Sequence, residues 1–181
     1  IKTRLQQKDY DMMEQVLVST FHGFCTQVLE SHVAAMNWHS MPQIFRDEDI
    51  RQVVASAICD SPNLREKYLS LDNRGRYLMV SSAIDAISQI KREVILDDEL
   101  DEKVANNDYI EIYRIYCDYM ESLHAIDFDD LLLDTYRLFL YNPKVASLYR
   151  REFEYICVDR IFYQKNYINP VLKRVKTIFQ V

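Results

Sequence analysis

Val16-Leu17-Val18-Ser19-Thr20-Phe21-His22-Gly23-Phe24-Cys25 is the stretch whose reading decides the fold. A short β-branched run leads into two hydroxyl side chains. Hydroxyls suit helix N-caps because their oxygen accepts from a first-turn N–H that has no partner within the helix. Phe24, Cys25, Val28, Leu29, His32 and Val33 then recur at helical spacing. The pattern predicts strand, tight turn and helix, with Thr20, Phe21 and His22 at the turn.

Working outward, Ser40-Met41-Pro42 breaks the pattern, and Asp47 is expected to cap a helix carrying Ile50, Val53, Val54, Ala57 and Ile58 inward. A short helix is expected around Leu64 to Leu71, then a turn at Asp72-Asn73-Arg74-Gly75. The next helix presents Val80, Ala83, Ile84, Ile87, Ile90 and Val94, and a long one near Asp101 to His124 presents Tyr109, Ile112, Tyr113, Tyr116, Met120 and Leu123. Asp127 opens another helix, and Asn142-Pro143 starts a last short one to about Arg151, with proline at its favoured first position. Tyr155-Ile156-Cys157-Val158, ending in Asp159, reads as a buried strand, and Thr177 to Val181 as a possible further one. The predicted fold class is therefore mainly α, a long helical body inserted between a few parallel strands.

Composition bounds the function. The 181 residues hold only two glycines and four prolines, which argues against a loop-rich all-β fold. No GxxxxGK[ST] and no GxGxxG occurs, so no glycine-rich phosphate loop is available here. No leader pattern and no apolar run of membrane-spanning length appears, so the expected setting is cytoplasmic, with no membrane partner. Cys25, Cys59, Cys117 and Cys157 form no C-x-x-C pair and sit on apolar stripes, as buried reduced thiols do. Net charge is −6 but uneven: Glu93 to Asp108 holds seven acids and one base, read as a solvated connection, while five bases and no acid follow Asp159.

Ligands of open parallel sheets bind beyond the carboxyl ends of strands. Thr20, Phe21 and His22 occupy one such end and Asp159 another. First-turn N–H groups and Thr20 suit a phosphate, and Phe21 suits stacking on a base or sugar. Alternatively, Thr20 is a plain cap and both rings fill the core, the reading that spacing alone favours. Asp127-Phe128-Asp129-Asp130 places three carboxylates within four residues. At a helix start they act as an N-cap and as charges favoured by the helix dipole. No His or Glu follows at i+3 or i+4 to complete a metal set. His32, His39 and His124 lie in no motif.

Together these segments resemble the UvrD/Rep/PcrA family of superfamily 1 DNA helicases. Val18-Ser19-Thr20-Phe21-His22-Gly23-Phe24-Cys25 resembles the family's TFHSFC element, and Ile126-Asp127-Phe128-Asp129-Asp130-Leu131-Leu132 its DFDDL element. Ile87-Ser88-Gln89-Ile90-Lys91 and Phe153 to Asp159 support the match, in the family's order. The resemblance implies a fragment of an ATP-dependent 3′-5′ helicase or translocase. Residues 1–25 would belong to a partial RecA-like motor domain 1A, 26–150 to a helical 1B-like subdomain with junction helices, and 151–181 to the return into 1A. Thr20, Phe21 and His22 would lie on the single-stranded DNA track. Asp127, Phe128, Asp129 and Asp130 would be chiefly structural, and the 1B subdomain would face duplex DNA.

After Asp159 the sequence departs from the family. The family's Asp-Glu would hold Mg²⁺ and activate water, whereas here Arg160-Ile161-Phe162-Tyr163-Gln164 follows. A guanidinium is no general base. ATP and Mg²⁺ are thus expected of the parent protein, with Asp159 as its Mg²⁺ ligand. No cofactor, catalytic residue or ATPase activity is expected of this piece. Its expected partners are DNA and the remaining helicase domains, in the cytoplasm and on the bacterial nucleoid. Two other readings are a non-enzymatic helical protein-interaction module of helicase ancestry, and a metal-dependent hydrolase using Asp127, Asp129, Asp130 and Asp159.

Overall fold

The computed structural model describes residues 17–93, 95 and 97–153. Helix α1 (Phe21–Ser31) is followed by a 3-10 turn (Val33–Met36) and a two-residue strand, β1 (Gln43–Ile44). Helices α2 (Asp47–Asp60), α3 (Arg65–Ser70), α4 (Asn73–Arg92), α5 (Leu100–Lys103) and α6 (Asn107–Ser122) come next. Strand β2 (Ala125–Ile126), α7 (Phe128–Tyr141) and α8 (Pro143–Glu152) complete the described chain. It is mainly helical, and its sheet is a parallel pairing of β1 with β2, Gln43 opposite Ala125 and Ile44 opposite Ile126.

That pairing brackets all of α2 to α6. Pro42 biases Met41 away from helix and toward extended backbone. At the other side His124 adopts a left-handed conformation, φ 49°, which ends α6 and turns the chain into β2. Gln43 N–H donates to the His124 carbonyl at 3.0 Å and Phe45 N–H to Ile126 at 2.8 Å. The His124 ring stacks on His39 with centroids 4.0 Å apart, and its Nε2 meets the Ser40 carbonyl at 3.0 Å. Two short strands thus clamp both ends of a helical body.

Two hydrophobic clusters result. The first joins α2, α4 and α6 through residues such as Val54, Ile58, Ile87, Ile112 and Tyr116, and closes on Ala125. The second joins α1, α7 and α8 through Cys25, Val28, Leu29, Leu131, Phe139 and Ala146, and closes on Ile126. Adjacent residues of one strand therefore point into different cores, as strand alternation requires. Truncating a fully buried anchor such as Leu29 or Leu131 costs about 2–5 kcal/mol.

Several expectations shift. Among the described residues Leu17 and Val18 lie in no strand: Leu17 is 48% exposed and the described ladder is β1 with β2. Val16, Asp159 and the strands expected at Tyr155 to Val158 and Thr177 to Val181 lie outside the described residues. The second helix is capped one residue early, at Arg46, whose N–H donates to Asp49 Oδ2 at 3.0 Å. Asp72 is itself the cap of α4, accepting from Gly75 N–H at 2.7 Å. The helix expected from Asp101 to His124 is broken before Asn107, where Asn106 Oδ1 accepts from Asp108 N–H at 3.0 Å. The acidic connection is anchored rather than wholly solvated, because Ile95 and Leu100 are buried in the first core. Cys25 is buried while Cys59 and Cys117 are half-buried, and among the described residues none of the three is joined in a disulfide.

Candidate nucleic-acid interface

Helices α1 and α7 pack along one another, and the two sequence motifs lie at their N-terminal ends. Thr20 is the N-cap of α1, in extended backbone (φ −76°, ψ 162°), and its exposed Oγ1 accepts from Gly23 N–H at 3.0 Å. No acid stands in the first turn. In an α-helix the first-turn N–H groups lack intrahelical acceptors, so those of Phe21 and His22 point out at the cap. Cys25, Val28 and Leu29 turn into the second core, and Phe24 packs edge-on against Tyr149, centroids 5.9 Å apart. Burial pushes the Cys25 thiol up to about 11, against a hydrogen bond with Thr135. That sulfur is inert filling.

Phe21 and His22 stay half-buried. The His22 ring rests on Phe128, centroids 4.4 Å apart and tilted by 40°, and Phe128 is 58% exposed. The two motifs, more than 100 residues apart in sequence, therefore meet ring to ring at an exposed edge. Burial lowers the His22 pKa, opposed by the Asp129 carboxylate. The imidazole is accordingly biased toward its neutral, stacking form.

Beneath that edge the α7 end is tied down. Asp127 is the N-cap: its Oδ1 accepts from Asp130 N–H at 2.8 Å, while Asp130 Oδ2 accepts from Asp127 N–H at 2.9 Å. Lys91, 2% exposed in the last turn of α4, lies 2.6 Å from Asp127 Oδ2 and 2.7 Å from Asp130 Oδ1. The Tyr116 hydroxyl donates to Asp127 at 2.7 Å, and Arg92 Nε to Asp129 Oδ1 at 3.1 Å. Burial works against charge on Lys91, but Asp127 and Asp130 outweigh it and hold the ammonium ionised. Burial likewise opposes charge on Asp127, yet Lys91 keeps it below the usual carboxylate range. Asp130 carries the cost of crowding: burial, with Asp127 and Asp134 nearby, raises it to about 7. One proton is thus held by the cluster on the acid side of neutrality.

Of the candidate hydrolase's carboxylates, Asp127, Asp129 and Asp130 are engaged by cations, and among the described residues no group of three or more metal-ligating side chains converges. Asp159 lies outside the described residues, so its place relative to them carries no argument. Lys91 and Arg92 were not singled out from the sequence as partners of the motif. The signal was present, because Lys91 falls four residues after Ile87 on an inward-facing stripe, where a charge demands a buried counter-charge.

A sequence profile of the UvrD/REP helicase N-terminal domain matches residues 1–166, and the chain belongs to that family. Among its relatives, the ATP-dependent DNA helicase PcrA of Bacillus subtilis (strain 168) is 31% identical over 150 residues, which cover 81% of this chain and 19% of that protein. A probable DNA helicase II homolog of Mycoplasma capricolum is 24% identical over 165 residues, covering 88% of this chain and 22% of the relative. The PcrA of Staphylococcus aureus (strain Mu50) is 26% identical over 162 residues, covering 88% and 21%. The chain thus spans about a fifth of the length of these relatives. Among the described residues no helix is long and apolar enough to cross a membrane.

Proposed function

We propose that this chain is a piece of an ATP-driven DNA helicase, and that the joined ends of α1 and α7 form a contact surface for single-stranded DNA. The observation that carries the reading is the His22–Phe128 stack, 4.4 Å between centroids, beside the Thr20 cap. An exposed ring beside a neutral imidazole offers a base or sugar a stacking face. The first-turn N–H groups of Phe21 and His22 and the Thr20 hydroxyl offer a phosphate its donors. Phe128, expected from the sequence to be structural, joins Thr20, Phe21 and His22 as a contact residue. Asp127, Asp129 and Asp130 support it from below.

The two hydrophobic cores favour a tighter division than 26–150. Residues 45–124, closed by the β1–β2 pair, make the 1B-like helical body that faces duplex DNA, and α1, α7 and α8 pack on the motor side. Exposed Leu140, Tyr141 and Leu148 on α7 and α8 suit burial against the remaining helicase domains. Nucleotide chemistry belongs to the parent protein, in which Asp159 would hold Mg²⁺. These residues contain no phosphate loop, and Arg160 follows Asp159. Translocation 3′ to 5′ in the cytoplasm, on the nucleoid, completes the reading by family resemblance.

Fluorescence anisotropy with labelled single-stranded DNA tests it. With net charge −6 and few phosphate contacts, binding is weak and falls steeply with added salt. His22→Ala and Phe128→Ala each weaken it by about tenfold, the scale of one lost base stack. Salt-insensitive binding, or variants that bind like the parent sequence, would overturn the reading and favour a protein-interaction module.

A further inference from the structure

Phe128 is bracketed by clamped residues. Asp127 before it and Asp130 after it close on the Lys91 ammonium at 2.6 and 2.7 Å, and Asp129 closes on Arg92 at 3.1 Å. Both cations end α4, a helix of the first core, whereas Phe128 and His22 belong to the helices of the second. Cations at a helix C-terminus and carboxylates at a helix N-terminus each favour their own helix dipole, so the two ends attract one another head to tail. Tyr116, from α6 in the first core, adds its hydroxyl to Asp127 and lies under the Lys91 ammonium, 4.7 Å from the ring centroid.

We infer that Lys91 is a positioning residue: by gripping Asp127 and Asp130 it sets the first turn of α7, and thereby holds the Phe128 ring against His22. The role deepens the DNA-contact reading and rests on it for its consequence, though not for its geometry. Lys91 lies buried with its ammonium on Asp127, Asp130 and the Tyr116 ring, so it acts on a bound strand only through Phe128. Arg92 closes the outer, half-exposed side of the same clamp. The helical body and the strand-contacting edge are therefore joined by one ionic node as well as by β1 and β2.

The test uses the whole chain with two independent readouts. Without DNA, proton NMR of His22 reports the ring current of Phe128. Lys91→Met is expected to lose that shift as Phe128→Ala does, while thermal melting stays cooperative. With labelled single-stranded DNA, Lys91→Met is expected to bind about tenfold more weakly, as expected for loss of one stacking contact. Adding Lys91→Met to Phe128→Ala is expected to cost nothing more, because both remove the same contact. Should Lys91→Met fail to fold, Lys91→Met combined with Asp130→Asn removes the cation and one buried carboxylate together and takes its place. Loss of the His22 shift with unchanged DNA binding would uphold the clamp and sink the DNA reading alone. An unperturbed His22 shift in the Lys91 variant, or affinity losses that multiply in the double variant, would overturn the inference.

Discussion

Two helix N-termini lie side by side in this molecule, and they are built by opposite rules. The start of α1 is neutral and open: one exposed threonine, one hydrogen bond to Gly23 and no acid in its first turn. The start of α7 is charged and closed: a reciprocal Asp127–Asp130 cap locked onto a buried lysine and a tyrosine hydroxyl. An N-terminus whose N–H groups and dipole are already answered by carboxylates has little left for an anion. One capped only by a hydroxyl keeps its electropositive end available. The open end is thus suited to meet a strand, and the closed end to hold still the ring that the open end leans on.

Breaking the closed end is expected to have the largest effect. Removing one partner of a buried ion pair leaves the other uncompensated, so Lys91→Met should lower unfolding free energy by about 3–5 kcal/mol, read by urea denaturation. The matching change at the open end, Thr20→Ala, should cost about 1 kcal/mol, the scale of one exposed cap. Equal costs at the two ends would erase the contrast.

The contrast sharpens with pH. A carboxyl whose folded pKa lies above its unfolded value is best accommodated protonated. Between 3.8 and about 7 the Asp130 carboxyl makes the folded state bind the extra proton, so its contribution to stability declines as pH rises through that window. Asp127, held below its ordinary value, acts oppositely: its contribution is present above 3.8 and is lost as pH falls through its depressed value. Asp130→Asn, which mimics the protonated form, should therefore compare better with the parent sequence at pH 8 than at pH 5 in denaturant titrations. A stability difference independent of pH would remove Asp130 as the proton holder. Thr20→Ala should show no pH dependence of its own, since no titratable group takes part in that cap.

The local half of this contrast was legible in the sequence. Thr20 and Asp127 announce themselves as caps by residue type and by the apolar periodicity that follows, and α2, α4, α7 and α8 are readable on the same grounds. The non-local half was not. Strands β1 and β2 are two residues each, and their pairing joins positions 43 and 125, so no local alternation marks them. The run at Leu17 and Val18 has the composition of a strand, but the described ladder lies elsewhere. The His22–Phe128 stack depends on α1 packing along α7, which neither motif encodes by itself. Lys91 could have been suspected as a charge on an apolar stripe, but its partners could not have been named before the helices were set together.

The proposed DNA contact requires the ends of α1 and α7 to form one surface for a strand. NMR titration of the chain with a short single-stranded oligonucleotide, following His22 and Phe128 side-chain resonances, tests it most directly. Both sets of signals should move together, saturate at the same DNA concentration and return toward their starting positions as salt is raised. If DNA binds while the His22 and Phe128 signals stay fixed, the strand lies elsewhere and the claim is wrong.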